Sequence, residues 1–131
     1  MPCKLDNSEM IEGIFGSWPT FHDFEILSIC LDRRAVGMSI RILAWTDRGE
    51  AYYEVVLRFD GIEDLVLEDF NHQNVMFGLD LSQVEDRIKV EIDSVFGARC
   101  AFTCHRGSVV SVEETTLLPG LSARPSTTGS R

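Results

Sequence analysis

From Asp23 to Glu114 the chain is a succession of short apolar runs, rich in β-branched and aromatic residues and closed by turn formers, and this constrains the fold more than anything else. Strands are expected near 23–33, 37–46, 50–59, 64–69, 75–82, 86–94, 98–105 and 108–114. "LDRRAVGM" and "WTDRGEAYY" read as hairpin connections, the second with Asp47 and Gly49 as turn formers. "DSVFGARC" and "CHRGSVV" each place a glycine between β-type runs and read the same way. Connections this short join antiparallel neighbours, since a parallel pair needs a crossover of about a dozen residues or more. The expected fold is therefore mainly β: about eight mostly antiparallel strands in a curved meander sheet or a sandwich.

Alternation assigns the faces. In "DRIKVEID", Ile88, Val90 and Ile92 alternate with Lys89, Glu91 and Asp93, so one face of that strand is wet. "FEILSICL" is apolar in both phases, with Phe24, Ile26 and Cys30 against Leu27, Ile29 and Leu31, and is expected to be buried on both sides. Something must cover its second face, either a helix or the sheet folding over. The one helical pattern, about residues 7–16, carries Met10, Ile11, Ile14 and Phe15 at helical spacing and ends at Gly16. A helix so short is marginal alone and must dock on the sheet. Residues 1–116 form a single β-rich domain in this reading, and the Pro-, Ser-, Thr- and Gly-rich segment 117–131 is a disordered tail.

The 131 residues carry a net charge of −9, which disfavours nucleic acid and anionic membranes and favours a basic partner. No apolar run approaches the roughly 18 residues of a membrane span, and "MPCKLDNSEM" has no secretory character, so a cytoplasmic setting is expected. Cys100 and Cys104 on one strand would stand about 13 Å apart, too far to bridge, and all four cysteines are read as free thiols. Neither a C-x-x-C nor an H-x-x-x-H spacing occurs, so neither metal nor cofactor is expected.

Two stretches invite functional readings. "WPTFHDFEI", Trp18 to Ile26, places His22 beside Asp23, half of a general-base unit, but neighbours on a strand point to opposite faces and no nucleophile motif accompanies them. The plainer reading is a corner whose backbone groups are satisfied by His, Asp and Thr side chains while Trp18, Phe21 and Phe24 plug the gap between helix and sheet. His22 and Glu25 are the polar residues expected to reach the surface. The second stretch, "EDLVLEDFNHQN", gathers Glu63, Asp64, Glu68 and Asp69, either a solvated face or, with Trp45 or Tyr53 exposed nearby, a surface for a basic protein. A hydrolase built on His22 and Asp23, a small-molecule binding module and a protein-binding domain all stay open on residue chemistry alone.

The corner "IFGSWPTFHDFEILSICLDR", the loop "FNHQNVMFGLDLS" and the late "GARCAFTC" together resemble the immunity protein 50 family over roughly residues 10–114. Trp18, Pro19, Phe21, His22, Asp23 and Glu25 match its corner motif, Asn71, Gln73, Asn74 and Val75 its loop, and Phe102 and Cys104 its late strand. Thr20 and Phe24 depart from it, Thr replacing Ser and Phe replacing Ala. The resemblance implies a non-enzymatic cytoplasmic protein that binds and blocks a cognate toxin domain, and the net charge of −9 suits a basic one such as a nuclease. Partner-facing candidates are then Trp18, His22, Asp23, Glu25, Glu63, Asp64, Glu68 and Asp69. The motif residues Trp18, Pro19, Phe21, His22, Asp23, Asn71, Gln73 and Asn74 are expected to shape the fold.

Overall fold

The computed structural model describes residues 3–34, 36–46 and 51–117. A short helix, α1 (Glu9–Phe15), precedes eight strands: β1 (Glu25–Asp32), β2 (Gly37–Trp45), β3 (Tyr52–Asp60), β4 (Glu63–Glu68), β5 (Val75–Val84), β6 (Arg87–Phe96), β7 (Arg99–Cys104) and β8 (Arg106–Thr115). All pairings between them are antiparallel, in one open sheet of order β4-β7-β6-β5-β1-β2-β3-β8. The fold is mainly β, as the strand pattern requires. The expected turn at Asp47 and Gly49 and nearly all of the expected tail lie outside the described residues.

Two three-stranded meanders, β1-β2-β3 and β5-β6-β7, make up most of the sheet. The link between them differs from a hairpin. Asp60 lies opposite Arg106 and Glu63 opposite Thr103, so β3–β4 and β7–β8 form one two-stranded ribbon that runs through a bend. "CHRGSVV" is thus no hairpin: β7 and β8 do not pair, and His105 sits at the kink, donating its backbone N–H to Asp60 O at 2.9 Å. Gly61 turns the other strand with φ 68°, and a Cβ there would run into the His105 ring. Gly107 lies within β8, where a side chain would strike Leu5 and Phe59. Arg87 pins the bend, donating from Nη2 to Gly61 O at 2.5 Å and lying 3.4 Å from Glu63.

The bend folds the sheet over its own inner face. Phe59 from β3 meets Phe102 from β7 edge-on, ring centroids 5.1 Å apart, and one core runs through both halves with Ile40, Ile42, Leu57, Met76, Val90 and Ile92 fully or nearly fully buried. Ile11 of α1 joins that core and Phe15 packs against it, while Met10 and Ile14 remain more than one-third exposed, so only half of the expected stripe docks. Gly16, with φ 85°, ends the helix by donating to Glu12 O at 2.8 Å.

"FEILSICL" is not buried on both sides. Ile26 lies opposite Ile42 but Ser28 opposite Arg41, which makes Leu27 the extra residue of a β-bulge. The bulge shifts the alternation by one, so Ile29, opposite Ile40, returns to the face that Ile26 occupies. An apolar run in both phases therefore serves one face, and the strand emerges into solvent at Cys30 and Leu31, the latter 55% exposed.

Candidate functional site

The corner between α1 and β1 turns on two residues in the left-handed region, Phe21 at φ 67° and Asp23 at φ 70°. Non-glycine residues adopt such angles at a cost; Phe21 O closes a local turn by accepting from Phe24 N–H at 3.2 Å, and the neighbouring strand holds Asp23. Asp23 N–H donates to Met76 O, Met76 N–H to Phe24 O and Ile26 N–H to Asn74 O, each at 2.8 Å, stitching the corner and the start of β1 to β5. Thr20 Oγ1 accepts from the His22 N–H at 3.3 Å. The strand-based objection to a His22–Asp23 pair is lifted by this bend: Nδ1 lies 3.4 Å from Asp23 Oδ2, with both side chains about half exposed.

Behind the pair runs a chain of aromatic rings. Phe21 and Phe24 are buried, Trp18 is half-buried, and the contacts Trp18–Phe21, Phe21–Phe24 and Phe24–Trp45 have centroid separations of 5.3, 5.6 and 5.1 Å. These rings and His22 line an open cleft of about 570 Å³. Trp45 and Tyr53, expected beside the acidic strand β4, belong to this corner instead, Tyr53 packing on Phe15 with centroids 5.8 Å apart. Glu25, expected to reach the surface, is buried between Leu43 of β2 and Val75 of β5.

The loop motif shapes the fold through Asn74, which is 3% exposed. Its Oδ1 accepts from Asn71 N–H at 2.9 Å and Ala98 N–H at 2.8 Å, and its Nδ2 donates to Asn71 O at 3.0 Å. One side chain thus ties the loop before β5 to the β6–β7 turn, where Gly97 has φ 90° and no room for a Cβ beside Asn74. Asn71 is exposed and Gln73 half-buried.

The acidic stretch is not a uniform negative patch. Glu63 lies 3.4 Å from Arg87 and Glu68 3.6 Å from Arg99, while Asp64 and Asp69 occupy exposed positions with φ 59° and 60°. A different surface carries uncompensated charge. On the outer face of β5 and β6, Asp80 lies directly opposite Glu91 and Asp93 opposite Gly78, with no ion-pair partner for any of the three carboxylates among the described residues. Beside them Phe77 and Val95 sit at register breaks and are 59% and 56% exposed. Alternation in "DRIKVEID" does point Glu91 and Asp93 outward, but only the register of β5 on β6 brings Asp80 to them.

The site holds no metal-type cluster: among the described residues no three His, Cys, Asp or Glu side chains gather to hold an ion. The cysteines are free, and burial pushes the Cys100 and Cys104 thiols up to about 11, far from a reactive thiolate. Among the described residues no helix is long and apolar enough to cross a membrane. No curated protein and no solved structure matches the chain. One family model does match, over residues 7–115, a span that takes in the bent corner, the Asn74 loop and all eight strands. By that match the chain belongs to the Immunity protein 50 family.

Proposed function

We propose that this protein is an immunity protein that acts in the cytoplasm, binding a cognate bacterial toxin domain and blocking it without any turnover of its own. Membership of the Immunity protein 50 family over residues 7–115 carries the reading. A net charge of −9 supports a basic toxin such as a nuclease, because opposite charge speeds encounter and disfavours wrong partners. The His22–Asp23 pair, half exposed at the rim of an aromatic cleft, offers a hydrogen-bonding group next to apolar surface, a combination suited to contacting another protein. Co-expression with the toxin domain encoded beside the gene tests the proposal. Restored growth and a co-purifying complex are expected, whereas continued toxicity with no complex would sink it.

The 570 Å³ cleft also favours a second reading, a small-molecule binding module, since its size falls within the usual range for ligand sites. Thermal-shift screening of wild type against Trp18→Ala tests it: a ligand that raises the melting temperature of the wild type alone would support that reading. No shift with any compound class would remove it. A hydrolase is the third reading; it requires turnover on ester or phosphate substrates that disappears in His22→Ala.

A further inference from the structure

We infer that the outer face of β5 and β6 is a docking surface for a protein with an apolar contact ringed by basic side chains, and that this is the face the toxin occupies. The inference rests on the immunity reading above. It starts from two breaks in the β5–β6 register, between Val75 and Met76 and between Met76 and Gly78, where β-bulges reset the alternation. Bulges re-aim side chains, and here Phe77 and Val95 stand more than half exposed, with Phe96 46% exposed next to them. His22 from the corner meets Phe77 edge-on, centroids 5.3 Å apart, which ties the corner motif to the same surface.

Carboxylates border this apolar centre. Asp80 and Glu91 are directly opposite on the ladder and Asp93 is two positions beyond Glu91 on the same face. Like charges directly opposite oppose folding. Arg99, on the adjacent strand, has its guanidinium 3.6 Å from Glu68, and the nearest outward cation on β6 is Lys89, on the other side of Glu91 from Asp93. Fold stability does not call for such an arrangement. An exposed apolar patch with a polar rim is the form of a protein-binding site, and the sign of this rim selects a basic partner. On the acidic stretch at β4, by contrast, Arg87 and Arg99 already answer two of the four carboxylates, Glu63 and Glu68.

The test uses the full chain and the toxin domain encoded beside it. Two variants alter the face, Phe77→Ser with Val95→Ser, and Asp80→Asn with Glu91→Gln and Asp93→Asn; Arg41→Gln with Glu54→Gln alters the outer face of β2 and β3 as a control. Each face variant is expected to weaken the complex at least about tenfold, the carboxylate variant also flattening its salt dependence, while the control binds as wild type does. Wild-type affinity in either face variant overturns the inference and leaves the immunity reading intact. Absence of a wild-type complex overturns both. Should a face variant fail to fold, hydrogen exchange on the wild-type complex decides: slowed exchange across 76–80 and 91–96 supports the docking face, and protection confined to other strands overturns it.

Discussion

The outer faces of the two sheet halves solve the same electrostatic problem differently. On β3 and β8, Glu54 lies opposite Glu113, and Arg41 of β2 answers it, donating to Glu54 Oε2 at 2.8 Å; Arg58 and Asp60 pair on the same side at 3.0 Å. On β5 and β6, Asp80 lies opposite Glu91 with no arginine between them, and exposed Phe77 stands beside them. On the first face arginines answer Glu54 and Asp60. On the second, three carboxylates have no ion-pair partner among the described residues and three large apolar side chains, Phe77, Val95 and Phe96, are about half exposed, which is the larger surplus for a partner to cover.

The largest expected effect tests whether these halves are one folding unit. Phe102→Ala removes the ring that joins the halves and should cost about 3–5 kcal/mol in urea unfolding. A single transition is expected in the variant as in the wild type, and two separated transitions would show that the halves fold independently. Next comes Asn74→Ala, which strands the buried Ala98 N–H and should cost about 1–3 kcal/mol at the junction of the halves. Trp18→Ala should cost about 2 kcal/mol, below the usual loss for a core aromatic because Trp18 is only half-buried.

Smaller effects should differ in sign between the faces. Glu54→Gln should lose up to about 1 kcal/mol, the worth of a partly exposed ion pair, whereas Glu91→Gln should gain a few tenths of that by relieving the opposition to Asp80. Equal losses in thermal melts would erase the contrast on which the docking face rests. The smallest effect at neutral pH belongs to the β7 thiols. They ionise near 9.0 in the unfolded chain and near 11 when folded, so their contribution is fully present below pH 9 and is lost as pH rises towards 11. Melting temperature should fall less steeply over that interval in Cys100→Ala than in the wild type.

Strand existence was legible because period-two patterning follows directly from side-chain direction, and the eight expected strands sit within a few residues of those observed. The helix end at Gly16 was legible for another local reason, that a glycine takes the left-handed φ of a helix stop without a Cβ clash. Glu25 was misjudged because a carboxylate is normally wet, while this one is enclosed by its neighbours on β2 and β5. "FEILSICL" was misjudged because a bulge at Leu27 changes phase without leaving a mark in composition. Asn74 was recognised as part of a loop motif, and two of its bonds stay within that loop at Asn71, but the third reaches Ala98 in a turn that sequence distance hides.

By itself the sequence determined a mainly β chain with a short helix, its negative charge, and the absence of any nucleophile or metal motif around His22 and Asp23. Those properties depend on residue type and near-neighbour spacing. Tertiary structure decided that two strands continue through the Gly61–His105 bend, that Phe21 and Asp23 bend the corner until His22 and Asp23 meet, and which carboxylates remain unanswered. Register is the physical reason: hydrogen bonds between distant strands choose which charges share a face, and a one-residue bulge exchanges inside for outside.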